Sequence, residues 1–224
     1  MQRDTILFDI NETVLDLRIL QPLFEREFGG AANSATWFAT LLHSSTVCAL
    51  TGVKTDFKSL AELTLVALAG RIGMELDEVV REEILSNFTI LKPYPDVQPA
   101  LQRLQSFGYQ TVAFSNSSEN LLRAQLDNAG LAPFFSDIVS VEGSGSFKPD
   151  PKVYRFAADI LKRPMTGLRL VAAHDWDTHG AMSAGMKAAF IGRSSANYNS
   201  VYRKPDIFEK SMTSLVEKIL IADE

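Results

Sequence analysis

The 224-residue chain has a single cysteine, Cys48, so it can form no disulfide within itself. That fits a reducing compartment. Cys48 lies in the apolar stretch 46–50, where a thiol packs as a small hydrophobe; the other reading is a nucleophile. No apolar run is long enough to span a membrane, and no apolar leader precedes the first strand-like segment. A cytoplasmic location without a membrane partner is therefore expected. Positive charge is also short: 22 basic against 27 acidic residues leave a net charge of −5, against a nucleic-acid partner. Small anionic substrates stay open, because a local positive site can sit in an acidic protein. Internal repeats, low-complexity tracts and long charge runs are missing. What remains is ordinary globular composition, 46% hydrophobic and 22% charged, which excludes fibrous and disordered classes. The length suits one large domain carrying an insertion.

Residues 5–10 (TILFDI) predict a short buried strand with an acid at its end. The strand signal then stops for about eighty residues. Apolar spacing of three and four predicts helices over 17–28, 34–50, 57–72 and 77–88. Beyond Lys92-Pro93-Tyr94-Pro95 the pattern alternates. Strands are expected over 110–114, 137–141, 168–173 and 188–191. Helices are expected over 97–107, 119–129, 151–161, 178–184 and 211–221. This is an α/β chain: a Rossmann-like parallel sheet with helices on both faces and an inserted all-helical cap. The expected core is 1–16 with 95–224, and the cap is 17–94.

Open parallel sheets bind ligands beyond the carboxyl ends of their strands. Each expected strand is followed there by an abrupt polar group: Asp9, Asn11, Glu12 and Thr13; Ser115 and Asn116; Lys148; His174, Asp175 and Asp177. An isolated Asp9 could cap a turn, Lys148 could be a solvated loop residue and Ser115 could cap the next helix. Their convergence favours a catalytic Asp9 that Lys148 keeps ionised. Ser115 and nearby backbone N–H groups would form an anion site. Trp37, Phe38 and Trp176 are candidate walls of an apolar pocket, and Trp37 and Phe38 are equally explicable as packing. His43 could line the pocket mouth or lie on the surface, and His179 reads as structural.

These motifs resemble the haloacid dehalogenase superfamily: Asp9 and Thr13 in FDINET, Ser115 in AFSNSS, Lys148 in FKPDPKVY, and the acidic turn VAAHDWD. The resemblance spans essentially the whole chain and implies Asp9 as a covalent nucleophile. Most members are magnesium-dependent phosphatases with a second Asp two residues after the nucleophile and a further carboxylate after the fourth strand. Here those positions are Asn11 and Ala173, so no metal and no cofactor are expected. The details resemble the type II 2-haloacid dehalogenases, through Ser115-Asn116 and through Tyr154 six residues after Lys148. A core aromatic is the other reading of Tyr154.

The chain departs from that subfamily in three ways. Phe38 stands where a cap arginine would contact the leaving halide, with no Arg or Lys between Arg26 and Lys54. Asn11 replaces an aromatic, and Ala172 and His174 replace a Ser and an Asn. The resemblance implies a hydrolase acting on short L-2-haloacids. Asp9 attacks C2, and water then attacks the Asp9 carbonyl carbon. Ser115 and the N–H groups near Ile10 and Asn11 would hold the substrate carboxylate. Asp177 would pair with Lys148, leaving His174 to activate water with Glu12 orienting it. The alternatives are a phosphatase, or a non-catalytic binding protein on the same fold. A homodimer is expected by resemblance.

Overall fold

The computed structural model describes residues 3–193 and 197–223. Strand β1 (Thr5–Phe8) is buried at every position and leads into β2 (Leu15–Asp16). Four helices follow: α1 (Gln21–Phe28), α2 (Asn33–Thr51), α3 (Phe57–Arg71) and α4 (Glu78–Thr89), then β3 (Lys92–Pro93). From there strands and helices alternate: α5 (Val97–Ser106), β4 (Gln110–Ser115), α6 (Glu119–Asn128), β5 (Asp137–Ser140), α7 (Pro151–Leu161) and β6 (Leu168–Ala172). The chain ends with α8 (Asp175–Ala184), β7 (Lys187–Ile191), β8 (Ile207–Glu209) and α9 (Met212–Ala222).

The six-stranded parallel sheet has the order β5-β4-β1-β6-β7-β8. Strand β1 pairs with β4 on one side, Thr5 opposite Gln110, and with β6 on the other, Thr5 opposite Leu168. Both β1 and β6 are wholly buried, which explains why they read as continuous apolar runs. Helix α5 packs on α9, and α7 packs on α8. The strand order reverses at β1, so the loops after β1, β4, β5 and β6 open onto one crevice.

Helices α1 to α4 lie between β2 and β3, which pair as an antiparallel ribbon through Leu15–Pro93 and Asp16–Lys92. The sequence reading missed this ribbon, because two residues per strand carry no periodic signal. It also missed β8, a three-residue edge strand preceded by Lys204-Pro205. Two helix starts moved. Leu17–Leu20 is a 3-10 turn capped by Asp16, and α1 begins only at Gln21. Helix α8 begins at Asp175 rather than Thr178, with extended His174 as its N-cap and both Asp175 and Asp177 in its first turn. Acidic residues are favourable at that positive helix end.

The cap docks through a few specific contacts. Lys54 Nζ donates to Gly145 O at 3.0 Å, and Asn128 Nδ2 donates to Thr89 O at 3.2 Å. The rings of Phe57 and Phe147 lie 6.3 Å apart, just before Lys148. Trp37, Phe38 and Phe88 pack together inside the cap.

Candidate active site

Asp9 stands one residue beyond β1, and its amide still donates to Val171 O at 3.0 Å. Thr13 Oγ1 donates to Asp9 Oδ2 at 2.7 Å and accepts from the Ala173 amide at 2.8 Å. One hydroxyl thus ties the loop after β1 to the loop after β6.

Lys148 reaches the same carboxylate from the loop after β5. Its ammonium donates to Asp9 Oδ1 at 3.2 Å, Asp177 Oδ2 at 2.9 Å and Phe114 O at 2.9 Å. All three donors are used, as a buried ammonium requires. Asn116 Oδ1 accepts from the Lys148 amide at 3.0 Å and holds that loop against the end of β4. Burial alone would raise the Asp9 pKa, but Lys148, His174 and Thr13 outweigh it and hold the carboxyl well below the usual range. Burial pushes Asp177 upward against the pull of Lys148.

Asp177 Oδ1 accepts from the Tyr154 hydroxyl at 2.6 Å. Tyr154 is fully buried, and burial beside Asp177 raises its pKa well above normal. Gly180 makes room for this contact: a Cβ there would stand 2.7 Å from Tyr154 Oη and 2.8 Å from Pro149 Cβ.

His174 Nδ1 lies 3.2 Å from Asp9 Oδ2 and Nε2 lies 2.8 Å from Glu12 Oε2. The ring stacks on Trp176 with centroids 5.1 Å apart, and Phe38 lies 6.4 Å away. Burial opposes a charge on this ring. The hydrogen bonds and charges of Asp9 and Glu12 win and push its pKa up to about 10. Glu12 holds its place in a left-handed conformation, φ +65°, with its amide donating to Leu15 O at 2.9 Å.

These groups surround an inner cavity of about 10 Å³. Asp9, Asn11, Ser115, Asn116, Lys148 and His174 form its polar side; Phe38, Leu42, Phe57 and Trp176 form its apolar side. A wider cavity of about 770 Å³ lies outside it, with Leu42, His174 and Trp176 shared between the two and His43 on its rim.

Two expected substrate contacts change. Trp37 does not line the cavity: it is fully buried in the cap, its indole N–H donating to Ala61 O at 3.1 Å. Tyr154 does not reach the cavity either and serves Asp177 from behind. The Ile10 side chain is in the core, and the expected contact was its backbone N–H. Among the described residues, no acceptor is assigned to the Ile10 or Asn11 amides. Of the other residues singled out, His179 accepts from the Arg203 amide at 3.0 Å and stacks on Tyr202, and Cys48 is half-buried.

Leu42 and Phe57 were not anticipated. Leu42 follows Phe38 by four residues on α2, a same-face spacing, but only cap docking reveals which face meets the core. Gln125 was missed too. Its Nε2 donates to Asn11 Oδ1 at 3.1 Å and to Phe88 O at 2.9 Å, joining α6, the loop after β1 and the cap.

The donor set does not fit a magnesium ion. Asn11 spends its side chain on Ser117 and Gln125, and Ala173 offers no ligand. The Asp9 oxygens already carry Lys148 on one side and Thr13 and His174 on the other. No group of three or more metal-ligating side chains occurs among the described residues.

A Rossmann-like sheet, a helical cap and an Asp–Lys–Asp cluster buried at the switch point define a capped α/β hydrolase. The chain belongs to the haloacid dehalogenase-like hydrolases, whose family profile matches residues 3–170. It is 28% identical over 203 residues to (S)-2-haloacid dehalogenase 2 of Pseudomonas sp. (strain CBS-3), covering 90% of this chain and 89% of that one. It is 23% identical over 220 residues to haloacetate dehalogenase H-2 of Moraxella sp. (strain B), covering 97% and 98%. The fold matches the L-2-haloacid dehalogenase of Xanthobacter autotrophicus with chloropropionic acid covalently bound. That match has a TM-score of 0.91 and 23% identity over 98% of this chain and 99% of that one.

Proposed function

We propose that the protein is a hydrolytic dehalogenase that converts short L-2-haloacids to 2-hydroxy acids through an ester on Asp9. The observation that carries this reading is buried Asp9, paired with Lys148 and facing a small cavity that is polar on one side and apolar on the other. The names of the curated relatives support the substrate class.

Among the described residues, Oδ2 of Asp9 is engaged by two donors, Thr13 and His174, and Oδ1 by Lys148. Oδ1 is therefore the attacking atom. It bonds C2 in line with the carbon–halogen bond, whose electron pair leaves with the halide. Ser115, Asn116 and the amides of Ile10 and Asn11 bind the substrate carboxylate. Phe38, Leu42, Phe57 and Trp176 enclose the apolar part of the acid and the departing halogen. Lys148, oriented by Asp177 and Tyr154, keeps Asp9 anionic before attack. Water then opens the ester at Cγ.

The inner cavity has room for about one water. Leu42, His174 and Trp176 line both this cavity and the wider one, through which a haloacid reaches Asp9. The half-buried, unpaired Cys48 is in keeping with a reducing, cytoplasmic setting. A homodimer is the assembly this reading takes from the subfamily resemblance.

The test is halide release from D- and L-2-chloropropionate, 2-bromopropionate and haloacetates, beside a panel of phosphate esters. Release from the L-acids and haloacetates, with bromide leaving faster than fluoride, is expected. Equal rates on both enantiomers, or phosphate release alone, would overturn the assignment.

A further inference from the structure

Arg193 follows β7 by two residues, and its side chain is only 9% exposed. Its guanidinium bonds two distant parts of the chain. Nε donates to Thr13 O at 3.1 Å, and Nη1 donates to Asp96 Oδ2 at 2.9 Å. Asp96 Oδ2 also accepts from the amide of Met212, the first residue of α9, at 2.8 Å. The guanidinium carbon lies 4.0 Å from the centre of the Tyr94 ring, and the Tyr94 amide donates to Val14 O at 3.0 Å. Tyr94 and Asp96 belong to the segment that returns from the cap to the core, between β3 and α5. One buried cation thus joins the loop after β1, the return from the cap and the end of β7.

We propose that Arg193 is a positioning residue for the nucleophile: through the Thr13 carbonyl it fixes the Thr13 hydroxyl on Asp9 Oδ2 and so keeps Oδ1 turned toward the substrate. This rests on the dehalogenase reading above. Thr13 has a single hydroxyl proton, and it lies on Asp9 Oδ2 at 2.7 Å, while the same oxygen accepts the Ala173 amide at 2.8 Å. Rotation of Thr13 would break both bonds and release the Asp9 carboxyl to turn about its Cβ–Cγ bond. Thr13 is fully buried and lies in a turn, so no strand ladder or helix holds its backbone. Among the described residues, no backbone amide is assigned to its carbonyl. The guanidinium is the donor that satisfies this buried oxygen, which would be costly to leave bare.

An arginine suits this place better than a lysine. Its planar fork addresses Thr13 O and Asp96 Oδ2 at once, and its face rests on Tyr94. The far end of the side chain is therefore locked, and the Thr13 carbonyl is held from a fixed point. Arg193 does not line the inner cavity, so it acts on the reaction only through Thr13. Both connections between cap and core meet there. Thr13 and Val14 lead into β2, and Tyr94 and Asp96 follow β3, its partner in the ribbon. A shift of the reacting oxygen by about 1 Å can cost on the order of 10²-fold in rate.

The experiment is rapid-quench bromide release from L-2-bromopropionate by wild type, Arg193→Met, Arg193→Lys, Thr13→Val and the double variant Arg193→Met/Thr13→Val. The amplitude of the first turnover counts folded sites, and its rate constant reports attack by Asp9 within them. Arg193→Met is expected to slow that rate constant by about 10–100-fold. The substrate concentration giving half the maximal rate should stay nearly unchanged. Arg193→Lys keeps the charge but reaches one acceptor at a time, and should fall between Arg193→Met and wild type. The double variant should be no slower than the slower single, because both changes act on one contact. A wild-type rate constant in folded Arg193→Met overturns the proposal. So do losses that multiply in the double variant, since Arg193 would then act independently of Thr13. If Arg193→Met does not fold, Arg193→Lys and Tyr94→Leu, which removes the ring under the guanidinium, carry the same test. Each should slow the first turnover without multiplying with Thr13→Val, and wild-type rate constants in both overturn the proposal. A wild type that releases no halide from any 2-haloacid fails earlier and removes the underlying dehalogenase reading.

Discussion

The ammonium of Lys148 lies 2.9 Å from the carboxylate of Asp177, and neither group is open to solvent. Asp9 is the second anion on the same ammonium, at 3.2 Å. Lys148→Met would leave two buried carboxylates with one cation removed. It should abolish halide release and destabilise the protein by about 3–5 kcal/mol, as urea unfolding would measure. Retention of wild-type stability would mean that the pair is not what holds the three strand-end loops together.

Tyr154 acts through Asp177, so its loss should be milder. Tyr154→Phe removes a hydrogen bond to a buried charged group and should cost about 1.5–3 kcal/mol. It should slow the chemical step while leaving KM nearly unchanged, because the hydroxyl is outside the cavity. Gly180→Ala tests the same contact by steric means: the added methyl group meets Tyr154 Oη and should cost about 1–3 kcal/mol. Combined in one chain, the two substitutions should fall short of additivity, since both act on one contact.

The core was legible because its strands are buried on both faces and each ends in an abrupt polar group. The sequence alone thus places Asp9, Ser115, Lys148 and Asp177 at one end of the sheet. The Glu12–His174 contact was legible for a related reason, since β1 and β6 are adjacent and their loops must meet. The cap lining was not. Trp37 and Phe38 are neighbours in an apolar helix, and only the docking of α2 sends Phe38 to the cavity and Trp37 into the cap. Gln125 was hidden for the opposite reason, because a polar residue on an amphipathic helix normally reads as surface.

Stability should depend on pH at both ends. Asp9 has a folded pKa below its unfolded value, so its contribution is present above the ordinary carboxylate range and is lost as pH falls through the lowered value. His174 has a folded pKa raised from 6.5 to about 10. Its contribution is complete below the unfolded value and is lost as pH rises through the folded one. Thermal unfolding of wild type against His174→Gln should show a gap that narrows steadily between these two values. A constant gap across that range would contradict a protonated resting ring.

Activity should survive EDTA, and added magnesium should not stimulate it. Asn11 and Ala173 supply no carboxylate, and Lys148 already occupies one Asp9 oxygen. A strict magnesium requirement would restore phosphoryl transfer as the reaction.

Single turnover in heavy-oxygen water tests the covalent role of Asp9 most directly. With enzyme in excess over L-2-bromopropionate, the label should appear in the Asp9 carboxylate, and the first hydroxy acid released should carry none. Inversion at C2 should accompany it, because only one displacement occurs at that carbon. Label found in the first product, with an unlabelled Asp9, would mean that water attacks C2 itself and that Asp9 forms no ester.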